Sequence, residues 1–275
     1  KGFASTKNIP ALKPPAELSK LQGDAVSKFL GEAPAIRLAD NELELVFVAD
    51  AKVDDGRYAN NGWLQELPDP ITKLTWGNAA LLSPKTAEKL GISTGDVISL
   101  KVGDKSVDIP ALELPGHADH SVTVSVGYGR TEVGSVGKGV GVDVYPLMTS
   151  SDCRFRAGVT VTKTGRKEKL AITQEHGALE GRGADIVRQS TQEEWRQNQG
   201  NGDFFKKMGI DGHTPPNFSL YSNPPLDDVH AWGMTVDLNT CIGCAACMVA
   251  CQSENNIPIV GKEQVINGRE MHWMR

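Results

Sequence analysis

Four of the five cysteines of this 275-residue chain lie within residues 241–251, and they are the residues best suited to chemistry. Cys241, Cys244, Cys247 and Cys251 follow the pattern Cys-x2-Cys-x2-Cys-x3-Cys. In proteins of the bacterial ferredoxin type, three thiolates of such a run hold one iron-sulfur cluster and the fourth reaches a second cluster. The run therefore predicts iron-sulfur binding, with these four cysteines as metal ligands and cofactor-binding residues.

The residues between the cysteines suit an anionic cluster. Such a cluster is stabilised by backbone N–H groups directed at its sulfurs, and small residues leave those groups accessible. Gly243, Ala245 and Ala246 are small residues in this loop. A helix that follows the run would carry Cys251 one turn beyond Cys247. We therefore predict that Cys251 serves a neighbouring cluster.

Other interpretations of the cysteines stay open. A structural zinc site usually has two cysteine pairs separated by about a dozen residues or more, and this compact run has no second pair. A disulfide scaffold would spread its cysteines along the chain. No cysteine follows Cys251, so the complementary ligands of two [4Fe–4S] clusters must lie beyond Arg275, or the site stays empty. A [3Fe–4S] cluster, which needs only three thiolates, is a further alternative, and the lone Cys153 is interpreted as structural.

The elements that would position this run are rich in β-structure. The alternating segment Leu43 to Val48 predicts a buried strand. Ser83 as N-cap, Pro84 at the first helical position and Gly91 as C-terminal stop predict a short helix between them. Further strands are predicted at Val97 to Val102, Val107 to Leu114, Val122 to Val126 and Gly158 to Thr162. Short strands separated by Gly and Pro turns favour a barrel or sandwich.

Two glycine-containing segments do not complete known nucleotide motifs. The segment 134–139 has Gly139 where a phosphate-binding loop needs Ser or Thr for magnesium. Gly127-Tyr128-Gly129-Arg130 follows a strand but has no third glycine and no following helix pattern, so a dinucleotide fingerprint also fails. After the cysteines we predict a short helix and then a β-hairpin turning at Asn267-Gly268.

Composition excludes several classes of partner. The formal net charge is −5, with 34 acidic and 29 basic residues, so the chain has no electrostatic footprint for nucleic acid. It has no run of about 18 apolar residues, so we expect no direct membrane span. The chain begins at Lys1 and ends at Arg275, and we expect it to be an internal fragment of a longer polypeptide.

Two groups of residues resemble a known family. The segments Trp76 to Pro84, Leu90 to Ile92 and Gly95 to Val97 look like the C-terminal domain of molybdopterin oxidoreductases, a double-psi β-barrel. The segments Asp55 to Pro68, Lys73 to Trp76 and Gly127 to Arg130, followed in the same chain by the cysteine run, resemble the large iron-sulfur subunit of bacterial alternative complex III.

This resemblance implies a fold and a domain order. The fold would be mainly β (α+β), with a double-psi β-barrel followed by the start of a ferredoxin-like domain. We predict a leading segment at 1–40, a molybdopterin-dinucleotide-binding-like barrel at 41–163, an irregular connector at 164–230 and an incomplete [4Fe–4S] ferredoxin-type domain at 231–275.

The resemblance also implies a function. The chain would be an electron-transfer subunit of a membrane-associated respiratory complex that oxidises quinol, and it would pass electrons toward an acceptor of the cytochrome c type. Its partners would be a quinol-binding membrane subunit and cytochrome c subunits, at the periplasmic face of the bacterial inner membrane. No residue of this chain would be catalytic, and molybdopterin is not expected.

Two rival functions stay open. The chain could be a fragment of a catalytic molybdopterin oxidoreductase, of the polysulfide or tetrathionate reductase kind, whose barrel contacts a pterin through Asn78 and the loop Gly127 to Arg130. It could also be a structural interaction module that needs no iron. Upstream catalytic domains with a metal-ligating residue would identify the first, and folding without iron would identify the second.

Overall fold

The computed structural model describes residues 42–150, 152–173, 191–198, 225, 229–230 and 233–273. The predicted leading segment and most of the predicted connector lie outside these residues. Among the described residues, the chain divides into two compact units. The first takes its residues from the chain up to Val48 and from Ala79–Ser125 and Val144–Glu168, and the second from Ala49–Asn78, Val126–Asp143 and Lys169 onward. The predicted domain boundaries stay a prediction.

Strands make up most of the regular structure in the described residues, and the helices are short. The strands are β1 (Glu42–Val48), β2 (Leu74–Thr75), β3 (Ala80–Leu82), β4 (Asp96–Val102), β5 (Lys105–Glu113), β6 (Ser121–Ser125), β7 (Phe155–Lys167) and β8 (Ala171–Ile172). The helices are α1 (Gly62–Glu66), α2 (Pro84–Leu90), α3 (Gln192–Gln197), α4 (Ala246–Glu254) and α5 (Lys262–Ile266), with a 3₁₀ turn at Tyr145–Leu147.

The first unit is a closed barrel of six strands in the order β1-β6-β3-β5-β4-β7. Strand directions are mixed: β1 is parallel to β6 and antiparallel to β7, while β3 is parallel to β5 and antiparallel to β6. The long β7 closes the barrel by pairing with both β1 and β4. The prediction of a mainly β chain containing a barrel of the double-psi type is confirmed at the level of this closed, mixed six-stranded barrel.

Side-chain alternation explains the barrel core. In β1 the residues Leu43, Leu45 and Phe47 are buried and their neighbours are more exposed, as a period of two requires. The other strands contribute buried apolar residues in the same way: Ala80, Leu82, Ile98, Leu100, Ile109, Val122, Val124, Val159 and Val161. The interior is thus filled by side chains, as expected for a small barrel.

Helix α2 has the caps predicted from its sequence. The Ser83 side chain accepts a hydrogen bond from Thr86 N, and Pro84 occupies the first turn. Gly91 ends the helix in the left-handed conformation, with a φ of 64°. Both ends of this helix have capping partners within the same short segment, and Ser83 Oγ also donates to Asp119 Oδ1 over 2.6 Å.

The second unit is built from short elements around a small core. Trp76, Ala171 and Val265 are buried together, with Val136, Val140, Val260 and Ile266 packed against them. Strands β2 and β8 form a two-stranded sheet next to this core. None of the described helices is long and apolar enough to cross a bilayer.

The hairpin predicted at Asn267-Gly268 is wrong. Residues 262–266 form helix α5, and Asn267 is its C-cap. Gly268 has a φ of 69°, its N–H donates to Val265 O, and Arg269 N donates to Gln264 O. This is the Schellman pattern that ends a helix. A glycine with positive φ suits this helix end as well as a hairpin turn, so the dipeptide alone did not distinguish them.

Candidate iron-sulfur site

Helix α4 and the loop before it hold the four cysteines. Cys241 and Cys244 lie in the loop, while Cys247 and Cys251 lie on α4, one helical turn apart. The loop begins at a turn in which Cys241 N donates to Asp237 O over 3.0 Å. It ends at Ala245, which has a φ of 57° and is the N-cap residue of α4. Left-handed residues of this kind let a short loop reverse direction tightly.

The N-terminus of α4 has no side-chain cap in the described structure. The first N–H groups of a helix have no partner within the helix, and the helix dipole makes this end favourable for negative charge. Thiolates at this end are stabilised for the same reason. The start of α4 therefore suits an anionic group bound by the neighbouring cysteines.

Three of the four cysteines line one cavity. Cys241, Cys244 and Cys247 border a cavity of about 580 Å³. Cys251 is not among its lining residues and is partly buried elsewhere on α4. This division corresponds to the sequence prediction that three thiolates serve one cluster and the fourth serves another. The assignment of each cysteine to a cluster stays a prediction.

The remaining walls of the cavity are mostly apolar. Its lining residues include Pro68, Pro70, Met234, Val236, Leu238, Met248 and Trp273. Lys73 is the one charged residue among the described lining residues, and its ammonium donates to Pro70 O over 2.7 Å. Several of these apolar side chains are themselves exposed, for example Leu238 at 83%. One nearby cation would partly offset the negative charge of a thiolate-ligated cluster.

The thiols themselves do not converge. All five cysteines are free, and Cys241, Cys244 and Cys247 are exposed. No three His, Cys, Asp or Glu side chains within the described residues are grouped closely enough to hold a metal ion. The donor set fits an iron-sulfur group by its chemistry, since thiolates are the ligands these clusters take, and three of the four cysteines border one cavity.

A buried carboxylate ties the segment after α4 to helix α1. Glu66 is 2% exposed. One of its oxygens accepts from Trp76 Nε1 at 2.9 Å, from Val260 N at 3.0 Å and from Gly261 N at 2.8 Å. Gly261 is also the N-cap residue of α5. One acidic side chain thus holds the connection between α4 and α5 against the core of the second unit.

The C-terminal end of α4 is fixed by its own contacts. Asn256 has a φ of 48°, and Ile257 N donates to Gln252 O over 3.0 Å, which ends the helix in a Schellman pattern. The buried Gln252 and His272 side chains are paired through Nε2 and Nδ1 at 2.9 Å. This pair holds the segment carrying Trp273, a cavity residue, to α4.

The residues named for a pterin contact are used inside the second unit. The Asn78 amide donates to Val142 O at 3.0 Å and accepts from Val142 N at 2.8 Å, and Asn78 is 4% exposed. Tyr128 is 1% exposed, and burial raises the pKa of its hydroxyl above the ordinary value. A Cβ at Gly127 would lie 2.6 Å from Gly56 N. Asn78, Gly127 and Tyr128 therefore act in packing, whereas Arg130 at the end of the loop is exposed. The pterin contact stays a prediction.

Several residues of this site were not predicted from the sequence. The apolar cavity residues Met234, Val236 and Leu238 alternate in sequence and precede the cysteine run, which was the signal that could have marked them. Lys73 and Glu66 had no such signal, because each is far from the cysteines in sequence. Only folding brings them beside the segments that surround α4.

The comparisons with known proteins give short or distant matches. No protein-family model matches the chain. A stretch of 26 residues is 73% identical to the iron-sulfur cluster-binding subunit of menaquinone reductase from Nitratidesulfovibrio vulgaris, and it covers 10% of this chain and 10% of that protein. The match thus spans about a tenth of the length of that curated relative. Among solved structures, acetylene hydratase from Pelobacter acetylenicus matches with a TM-score of 0.32 and 17% identity over 44% of this chain and 18% of that chain.

Proposed function

We propose that this chain is an electron-transfer unit that holds iron-sulfur clusters through its C-terminal cysteine run. Cys241, Cys244 and Cys247 would bind one [4Fe–4S] cluster, and Cys251 would bind a neighbouring one. The observation that carries this proposal is the shared cavity at the uncapped start of α4, lined by the first three cysteines and not by the fourth. The short match to a subunit named as iron-sulfur cluster-binding supports it.

The chemistry assigned to the chain is electron transfer. The bound clusters would each accept and release single electrons, and this chain would supply their ligands, their hydrogen-bond donors and their electrostatic surroundings. Such a role requires no acid, base or nucleophile among its residues. Met234 and Leu238 would provide apolar contacts to the first cluster. Lys73 would lower the cost of adding an electron there.

The larger setting follows from the family resemblance. The chain would belong to a membrane-associated complex of the alternative complex III type, which oxidises quinol and passes electrons toward a cytochrome c-type acceptor. It would lie at the periplasmic face of the inner membrane as a peripheral subunit, beside a quinol-binding membrane subunit and cytochrome c subunits. The relative in Nitratidesulfovibrio vulgaris is named as part of a menaquinone reductase, which supports a respiratory quinone partner.

The first test is elemental analysis for iron, molybdenum and zinc on the full-length protein, purified anaerobically from its own membranes. Several irons per chain without molybdenum are expected. Stoichiometric molybdenum would favour the catalytic molybdopterin oxidoreductase instead. Zinc alone would overturn the iron-sulfur assignment.

The second test assigns the cysteines. The double substitution Cys244→Ser and Cys247→Ser should remove one cluster signal from the electron paramagnetic resonance spectrum of the reduced protein. Cys153→Ser is the matched control, because Cys153 is also an exposed free thiol but lies in the barrel unit. It should leave every signal in place. An unchanged cluster count in the double variant would contradict the ligand assignment.

A further inference from the structure

Asn255 makes close contacts with the last cysteine of the run. It is the C-cap residue of α4, one turn after Cys251. Its Nδ2 lies 2.9 Å from Cys251 O and 3.6 Å from Cys251 Sγ. Its backbone N–H also donates to Cys251 O over 3.1 Å. The side-chain amide nitrogen of Asn255 is therefore within contact distance of both the carbonyl oxygen and the sulfur of this cysteine.

The end of the helix keeps Asn255 in this position. The next residue, Asn256, adopts the left-handed conformation, and Ile257 is buried with 7% exposure. These features stop the helix at Asn255 and anchor the chain immediately after it. The Asn255 side chain is thus held over Cys251 by one hydrogen bond from Nδ2 to the Cys251 carbonyl oxygen, while the backbone of Asn255 is placed by its own N–H bond to that oxygen and by the helix end.

A hydrogen bond to a ligating sulfur changes the reduction potential of a cluster. Reduction adds one negative charge that is spread over the iron and sulfur atoms, so an N–H donor stabilises the reduced state more than the oxidised state. Hydrogen bonds to the sulfurs are among the factors that set iron-sulfur potentials. A donor at Cys251 Sγ would therefore raise the potential of the cluster that Cys251 binds.

We propose that Asn255 is a positioning residue that raises the reduction potential of the Cys251-bound cluster by donating an N–H to the thiolate. The proposal rests on the proposed function, in which Cys251 is a cluster ligand. The redox step transfers one electron from an external donor to the cluster. No bond to Asn255 forms or breaks, and its amide keeps both hydrogens.

The effect should be confined to one of the two clusters. Cys241, Cys244 and Cys247 line the cavity, whereas neither Cys251 nor Asn255 does. Asn255 would thus act on the neighbouring cluster and leave the cavity cluster nearly unchanged. Its effect would be to raise the potential of the Cys251-bound cluster relative to that of the cavity cluster, which favours electron transfer toward the Cys251-bound cluster.

The substitution Asn255→Asp tests the proposal because it keeps the shape of the side chain and removes the N–H donor. It also adds a negative charge, so Asn256→Asp is the matched control. That variant adds the same charge one residue later, and Asp tolerates the left-handed conformation almost as Asn does. Asn255→Ala removes the donor without adding charge. All three variants are made in the full-length protein and titrated with dithionite under electron paramagnetic resonance detection.

The expected result is a lower midpoint potential for one cluster in Asn255→Asp and Asn255→Ala, beyond any shift in Asn256→Asp. At a fixed ambient potential, the ratio of reduced to oxidised cluster should fall roughly three- to tenfold, because the hydrogen bond is present in both oxidation states and the shift reports only its extra strength in the reduced state, about the net contribution of one ordinary hydrogen bond. A tenfold fall corresponds to about 59 mV for one electron. Thermal unfolding of the same samples measures separately how much stability is lost when the C-cap contacts of Asn255 are removed.

The outcomes separate the two proposals. If the parent protein has two clusters but Asn255→Ala leaves both midpoint potentials unchanged, the role of Asn255 is overturned and the proposed function is intact. Equal shifts of the midpoint potential in Asn255→Asp and Asn256→Asp would have the same meaning. A parent protein without iron would overturn both. A shift that appears equally in the two clusters would also contradict the inference, because the hydrogen bond reaches only Cys251.

Discussion

The hydrogen bonds of Glu66 are predicted to be the main polar contacts that stabilise the second unit. Removing them should lower the local stability of the segment that links α4 to α5. Its carboxylate accepts hydrogen bonds from Trp76 Nε1, Val260 N and Gly261 N, and Glu66 is 2% exposed. Glu66→Ala leaves all three donors without this acceptor. Glu66→Gln keeps one acceptor oxygen but replaces the other with an amide NH2 group, which cannot accept a hydrogen bond from these donors.

The size of the effect follows from the burial of each donor. A hydrogen bond to a charged group contributes about 1.5–3 kcal/mol, and a buried donor left without a partner costs about 1–3 kcal/mol. Trp76 is 8% exposed and should bear most of this cost, whereas Val260 and Gly261 are half-buried and water can reach them. We expect a loss of about 2–4 kcal/mol for Glu66→Ala and a smaller loss for Glu66→Gln.

Amide hydrogen exchange is the suitable assay, because the chain has two units and a single unfolding curve would combine them. Opening of this segment breaks all three hydrogen bonds to Glu66 together, so exchange at Val260 and Gly261 should report the whole loss. It should accelerate roughly 30-fold to 700-fold in Glu66→Ala, the rate factor for about 2–4 kcal/mol. Exchange in the barrel strands should not change. Glu132→Ala is the matched control, since Glu132 is an exposed glutamate of the same unit.

The reasoning would be refuted by a Glu66→Ala variant whose exchange at Val260 and Gly261 equals that of the parent or of the Glu132→Ala control. Such a result would mean that water replaces the carboxylate without cost. Faster exchange of the barrel amides by the same factor would contradict the prediction that the Glu66 hydrogen bonds stabilise only their own unit. Trp76→Phe provides an independent check, since it keeps an aromatic ring in the core and removes one donor.

Two further predictions concern Asp96 in the barrel and two glycines of the second unit, Gly129 and Gly139. Asp96→Asn should destabilise the barrel near neutral pH, because a 2.7 Å bond from Lys163 Nζ helps to hold the pKa of Asp96 below 3.8. The parent protein should have a higher free energy of unfolding than Asp96→Asn, and this difference should be complete above pH 3.8. It should disappear as pH falls through the lowered pKa, where the native carboxylate becomes protonated. Amide hydrogen exchange in the barrel strands, compared between parent and variant at each pH in this range, measures the difference in stability. A pH-independent deficit would contradict the prediction. Gly129→Ala should cost more stability than Gly139→Ala, because a Cβ at Gly129 would overlap the backbone of Asp143 while that at Gly139 meets nothing within 4 Å. Both glycines have a positive φ, so the Gly139→Ala control should lose only about 1–2 kcal/mol of stability. Amide exchange in the second unit measures both losses, and equal losses would show that the loop relaxes.

Features fixed by neighbours in sequence were predictable. The caps of α2 come from Ser83 and Gly91, each within one turn of the helix they end. The strand β1 follows from alternation of apolar residues, which depends only on the period of an extended chain. The cysteine spacing identified the ligand candidates for the same reason, because a cluster-binding loop places its thiols within a few residues of one another.

Other features depended on tertiary contacts. Whether residues 262–266 form a helix or a strand was decided by the packing of Val265 with Trp76 and Ala171, and the Asn-Gly signal after them is compatible with both structures. The cavity walls, Lys73 and the Glu66 tie join segments that are distant in sequence. Closure of the barrel by β7 likewise required pairing with both β1 and β4. The sequence by itself determined the candidate cluster ligands and the local elements. Only the tertiary structure decided what surrounds them, because long-range packing depends on the whole chain and leaves no mark in a short stretch of residues.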